Sequence, residues 1–100
     1  MPIRHMRKKG DRRGTIRAVD CTVENLGAIA QLAADDLLTL EFDPGSMGQP
    51  FQVVLFLRNK MIEIDRGQIL VRADLGELHG LRVVNPADLA DFEPYDPDEA

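Results

Sequence analysis

Between Leu38 and Asp65 the chain changes character at every second residue, and that period restricts its fold more than any other feature. Leu38, Leu40 and Phe42 alternate with Thr39, Glu41 and Asp43. Further on, Ile62 and Ile64 alternate with Glu63 and Asp65. Successive side chains of a strand leave on opposite faces, so both segments read as half-buried strands whose outer faces carry carboxylates. Phe51 to Arg58 lies between them and is apolar on both sides: Phe51, Val53, Leu55 and Leu57 on one, Val54 and Phe56 on the other. A strand of that kind sits centrally in a sheet or contributes to an interface.

Turn residues separate these strands. Asp43 to Pro50 holds two Gly and two Pro and reads as a loop. Asn59-Lys60 suits a two-residue hairpin turn, and Asp65-Arg66-Gly67 leads into a strand over Gln68–Ala73. A connection over Gly76–Gly80 precedes a last strand at Leu81–Val84. Nearer the start, Thr15–Asp20 alternates and reads as a strand. Thr22 has the chemistry of an N-cap, and Val23, Leu26, Ala30, Ala33 and Leu37 step by three or four, so a helix is expected over about 23–35. Asn85-Pro86-Ala87-Asp88 reads as the start of a short helix, about 86–92. The expected class is α+β: an antiparallel β-meander of about five strands packed with one main helix and a short C-terminal helix. Residues 15–92 form the domain in this reading, with a mobile basic head over 1–14 and a disordered acidic tail over 93–100.

The chain has 100 residues and a net charge of −5, unevenly spread. Residues 1–20 carry seven bases and two acids, a net of +5, and residues 21–100 carry five bases and fifteen acids, a net of −10. Such asymmetry bears on partners rather than on fold. A single cysteine, Cys21, forms no internal disulfide, and with no apolar leader the expected compartment is the cytoplasm. The longest apolar run, Val53–Leu57, is too short to span a bilayer, so no membrane role is expected.

The residues give no pattern for catalysis, and the chain reads as a non-enzyme without a cofactor. Cys21 has no histidine placed beside it in sequence; His5 lies in the head and His79 in a turn. Ser46 lies in the Gly/Pro loop, outside a nucleophile elbow. Two histidines and one cysteine far apart offer no zinc spacing. The pairs Glu41/Asp43 and Glu63/Asp65 share strand faces, where a solvated surface accounts for them without acid–base chemistry.

Arg12-Arg13-Gly14-Thr15-Ile16-Arg17 resembles the R-x-x-x-R element of PilZ domains, and Gly80–Pro86 is similar to the closing strand of such barrels. The resemblance implies a nucleotide-binding module for cyclic di-GMP. The family's second motif, [D/N]-x-S-x-x-G, would fall at Asn25–Ala30, which lacks the Ser and the final Gly. The binding residues of the family are therefore not carried over.

The expected function is a small interaction protein acting through protein–protein contacts. Its sharper form is an acidic inhibitor that blocks the nucleic-acid-binding surface of its target, in the style of phage anti-defence and anti-CRISPR proteins. The partner would be a protein with a basic surface, met by Asp35, Asp36, Glu41, Asp43, Glu63 and Asp65. Alternate strand residues lie about 6.6–6.8 Å apart, the order of magnitude of phosphate spacing. Val54 and Phe56 need cover, which also admits a homodimer. The alternative is a nucleic-acid-binding regulator whose head contacts phosphates through Arg7, Lys8, Lys9, Arg12, Arg13 and Arg17.

Overall fold

In the computed structural model, which describes residues 3–10, 14–45, 47–48, 51–73 and 80–95, the alternating segments pair into two antiparallel sheets. The elements are β1 (Arg4–Lys8), β2 (Thr15–Asp20), α1 (Leu26–Leu32), β3 (Leu37–Asp43), β4 (Gln52–Leu57), β5 (Met61–Asp65), β6 (Ile69–Ala73), β7 (Gly80–Val84) and β8 (Phe92–Pro94). One sheet has the order β7-β6-β2-β1-β8 and the other β3-β4-β5. The fold is α+β, and the expected meander is realised in β3-β4-β5.

The expected single sheet becomes two because of one turn. Gln68 donates its backbone N–H to the Asp65 carbonyl at 3.0 Å, and Gly67 has φ +87°. Positive φ at the third residue is the geometry of a type II turn, which glycine adopts without strain. The chain leaves β5 there, and Cys21 N–H donates to Gln68 O at 2.9 Å. β6 then pairs with β2, Ala18 opposite Val71 and Val19 opposite Leu70, instead of extending the meander.

A cluster of buried side chains joins α1 to the inner faces of both sheets. Ile29 and Leu32 of α1 pack with Val19, Leu70 and Leu81 of the five-stranded sheet and with Val53, Leu55 and Ile64 of the three-stranded one. Burying one such aliphatic side chain contributes about 1.5–3 kcal/mol. The opposite face of the five-stranded sheet has its own cluster, in which Met6, Ile16, Ala18, Ile69 and Val71 meet Leu89.

Several expectations need correction. Arg4–Lys8, read as part of a mobile head, is a strand paired on both sides, with β2 and with β8. Met6 alone is buried within it, so the apolar period that marks a strand was too sparse to see. The C-terminal helix is a 3-10 turn at Pro86–Leu89. Asn85 and Asp88 cap its start, with Asn85 N–H donating to the Asp88 carboxylate at 2.9 Å, and the backbone bond from Asp88 N–H to Asn85 O, also 2.9 Å, closes the turn. The chain then straightens into β8, because pairing with β1 competes with further helix. The main helix is preceded by a 3-10 turn at Val23–Asn25 and ends at Leu32, and Val23 is 52% exposed. Thr22 stands at the expected cap position but makes no side-chain cap bond. The β4–β5 turn is centred on Arg58-Asn59, one residue earlier than expected, since Leu57 N–H donates to Lys60 O at 2.8 Å.

Candidate interaction face on the three-stranded sheet

The outer face of β3-β4-β5 follows from period two and register. The inner rows are Leu40–Leu55–Ile62 and Phe42–Val53–Ile64; all but Phe42 pack in the core, and Phe42, 37% exposed, lies against the Phe51 ring. The alternate residues must therefore face outward, in the rows Thr39–Phe56–Met61, Glu41–Val54–Glu63 and Asp43–Gln52–Asp65. Four carboxylates that lie 24 residues apart at most in sequence thus stand at the corners of one patch. Its sides are about 7 Å along the strands and about 10 Å across them. At 7 Å two like charges in water repel by about 0.6 kcal/mol, a cost that a cationic partner would convert into attraction.

Between the carboxylates stand Val54 and the polar Gln52, and the adjoining row carries Phe56 and Met61. Val54 and Phe56 are half-buried, and Met61 is 53% exposed. A register irregularity between Leu37 and Thr39 displaces Leu38, which was expected to face the core, and leaves it 65% exposed. The carboxylates differ in their local ties. Asp43 accepts from Gly45 N–H at 2.9 Å, and Asp65 accepts from Gln52 Nε2 at 2.8 Å. Among the described residues, neither Glu41 nor Glu63 is ion-paired.

Asp35 and Asp36, grouped with this face in the sequence reading, stand elsewhere. They occupy the turn after α1, where Arg72 Nη2 lies 3.5 Å from Asp35 and 3.9 Å from Asp36. Arg72 Nη1 also donates to Leu32 O at 3.1 Å and so satisfies a carbonyl at the helix C-terminus. Arg72 supplies that end with a cation, a role the sequence did not reveal because the two segments are far apart along the chain.

Among the described basic residues of the head, two have anionic partners. Arg4 pairs with Asp20 at 2.8 Å and Arg7 with Glu93 at 3.2 Å. Arg7 also lies over the Tyr95 ring, 5.9 Å from its centroid, and His5 meets that ring edge-on at 6.2 Å. Arg17 is opposite His5 on β1 and Arg72 on β6. Lys8 closes β1, and Lys9 N–H donates to Asp91 O at 2.8 Å. Arg12 and Arg13, with Ser46 and His79, lie outside the described residues. Glu93 and Tyr95 were missed in the sequence; the aromatic residues Phe92 and Tyr95 in an otherwise acidic tail were the available signal.

Cys21 is 1% exposed, and its Sγ lies 3.8 Å from Ile64 O. Burial, and then the nearby Asp65 carboxylate, push its thiol pKa upward. That shift suppresses the thiolate a nucleophile needs. Among the described residues no group of three or more His, Cys, Asp or Glu is placed to hold a metal ion. No helix among them is long and apolar enough to cross a membrane.

No protein-family model matches the chain, and neither curated proteins nor solved structures give a match to it.

Proposed function

We propose that this is a non-catalytic interaction protein that docks on the basic surface of another protein through the outer face of β3-β4-β5. The observation that carries this reading is the register that sets Glu41, Glu63, Asp43 and Asp65 around Val54, with Phe56 and Met61 beside them. The apolar side chains of Val54, Phe56 and Met61 would give desolvation energy, and the charge beside them orientation and a faster encounter. A second copy of the chain is a poorer occupant, because face-to-face association would bring four carboxylates against four. A protein surface that binds nucleic acid offers the complementary chemistry, so the docked state would exclude nucleic acid from it. A reducing, cytoplasmic setting fits a chain whose one thiol is buried and unpaired.

The test is a pull-down from nuclease-treated lysate with the native protein and with Glu41→Lys/Glu63→Lys, followed by calorimetry on any retained protein. The expected result is a basic partner held by the native chain and lost by the variant, with nucleic acid displaced from that partner. Binding that is unchanged when all four carboxylates are reversed removes the reading.

A further inference from the structure

Four strands end the two sheets, and three of these edges are protected. β5 and β7 lie beside each other, with Lys60 Nζ reaching Leu81 O at 3.4 Å. β8 has three residues and includes Pro94, which has no N–H to donate. Covered, short or proline-bearing edges are common defences against pairing with another chain. Among the described residues β3 has none of these. It runs for seven residues without proline and pairs with β4 alone, and its one irregularity lies at its start, between Leu37 and Thr39. Leu38, Thr39, Glu41, Phe42 and Asp43 are all exposed, so the edge has room beside it. The core also stops short of this strand: Leu55 is fully buried and its neighbour Leu40 only half-buried.

The ladders fix which backbone groups face the open edge. In an antiparallel pair, a residue's N–H and C=O point to the same side, and the side alternates along the strand. Leu57 N–H donates to Lys60 O, so Leu57, Leu55 and Val53 bond toward β5. Phe56, Val54 and Gln52 then bond toward β3, to Thr39, Glu41 and Asp43. Leu40 and Phe42 alternate with those residues and turn their N–H and C=O groups to the open edge. An edge of this kind is a template for another strand.

We infer that β3 pairs antiparallel with β3 of a second copy about a two-fold axis at Leu40, which joins the two small sheets into one of six strands. Residues opposite each other in such a pair point their backbone groups the same way, so the axis must fall on a residue. Charge selects which one, because like charges directly opposite are destabilising. An axis at Glu41 sets Glu41 against Glu41, and one at Phe42 sets Glu41 against Asp43. An axis at Thr39 sets Asp43 against Asp35, and one at Leu38 sets Glu41 against Asp35. An axis at Leu40 leaves no carboxylate opposite another: Glu41 meets Thr39, and Asp43 meets Leu37. The apolar residues favour the same register. Leu40 meets its own copy and exchanges both backbone bonds with it, while Leu38, 65% exposed, comes level with Phe42 of the other chain. The strand is thus complementary to itself, which argues for a second copy as the occupant. The contact uses the edge of the sheet and not its outer face, so it stands apart from the docking reading. It sets two outer faces side by side and doubles the run of carboxylates on them.

The experiment is sedimentation equilibrium on the full chain, with amide hydrogen exchange at the same concentrations. The mass should approach twice the 11.2 kDa of one chain at millimolar concentration and fall to the single-chain value on dilution. The amides of Leu40 and Phe42 should exchange about tenfold more slowly in the concentrated sample than in the dilute one. Thr39→Lys sets a lysine opposite Glu41 of the other copy at two symmetric places and should tighten association about threefold or more. Adding Glu41→Lys sets lysine against lysine and should reverse that gain. Leu38→Glu, at an exposed position, adds a carboxylate to the junction and should weaken association about tenfold, with the circular dichroism spectrum unchanged. Val54→Lys, on the outer face, should leave the mass unchanged. A chain that stays monomeric at millimolar concentration overturns the inference. So does a dimer whose Leu40 and Phe42 amides exchange as fast as in the dilute sample, or one that Thr39→Lys does not tighten. A dimer lost in Val54→Lys and kept in Leu38→Glu also overturns it, by moving the contact to the outer face. Partner capture by the native chain is a separate readout, so the docking reading can fail while the dimer stands, or stand while the dimer fails.

Discussion

The two sheets share one core and treat charge in opposite ways. On the five-stranded sheet cations have partners at hand: Arg4 with Asp20, Arg7 with Glu93, Arg72 with Asp35 and the end of α1. Both of its faces also carry buried clusters. The three-stranded sheet buries one face and turns the other, with four carboxylates and a half-buried Val54 and Phe56, to solvent. On the larger sheet these three cations are matched within the molecule. A sheet that concentrates one sign of charge around apolar side chains gains nothing from it in isolation. The contrast is the argument for placing the proposed docking face on the smaller sheet.

The contrast can be broken in four ways. Leu55→Ala removes a fully buried side chain from the cluster shared by both sheets and should cost about 2–5 kcal/mol. Urea unfolding should still show one transition, whereas two would make the sheets independent units. Glu41→Lys/Glu63→Lys should leave the urea midpoint nearly unchanged and weaken partner binding at least tenfold, about 1.4 kcal/mol or more. A variant that unfolds would assign those carboxylates a structural role. Arg72→Ala should cost about 1–2 kcal/mol through the bare Leu32 carbonyl and lost contact to Asp35, measured by the same unfolding curves. Arg4→Ala and Arg7→Ala remove exposed pairs and should each change stability by less than about 1 kcal/mol.

Cys21 gives a pH-dependent version of the same test. Its folded pKa is raised, so the native state resists losing a proton that the unfolded chain gives up from the ordinary value of 9.0. Stability from this group is therefore complete below that value and declines as pH rises through it. The difference in stability between native protein and Cys21→Ala should shrink above pH 9.0, as read from urea curves at stepped pH.

How much of this was legible follows from the range of the interactions. The alternation of β3 and β5 and the doubly apolar β4 are local patterns, and they placed Glu41, Asp43, Glu63 and Asp65 on outer faces in advance. That the four share one patch depends on β4 standing between the other two strands, which the short turn read at Asn59-Lys60 and the doubly apolar β4 made inferable. β1 was not legible, because Arg4-His5-Met6-Arg7-Lys8 holds one buried side chain and becomes a strand through its neighbours. Phe92–Pro94 was hidden by the acidity around it. The engagement of Asp35 and Asp36 by Arg72 is set by tertiary packing that no periodicity encodes.

The pairing of β1 with β8 has a consequence for how the molecule is made. The Arg7–Glu93 contact spans 86 positions of chain. Contacts so distant in sequence carry a large closure entropy and tend to form late. During synthesis β1 therefore emerges with one edge waiting for a partner 86 positions further along the chain. Until Phe92–Pro94 arrives, that edge is open to pairing with other chains. The Lys and Arg residues on β1 then act as a safeguard, because two growing copies would repel where they would otherwise join.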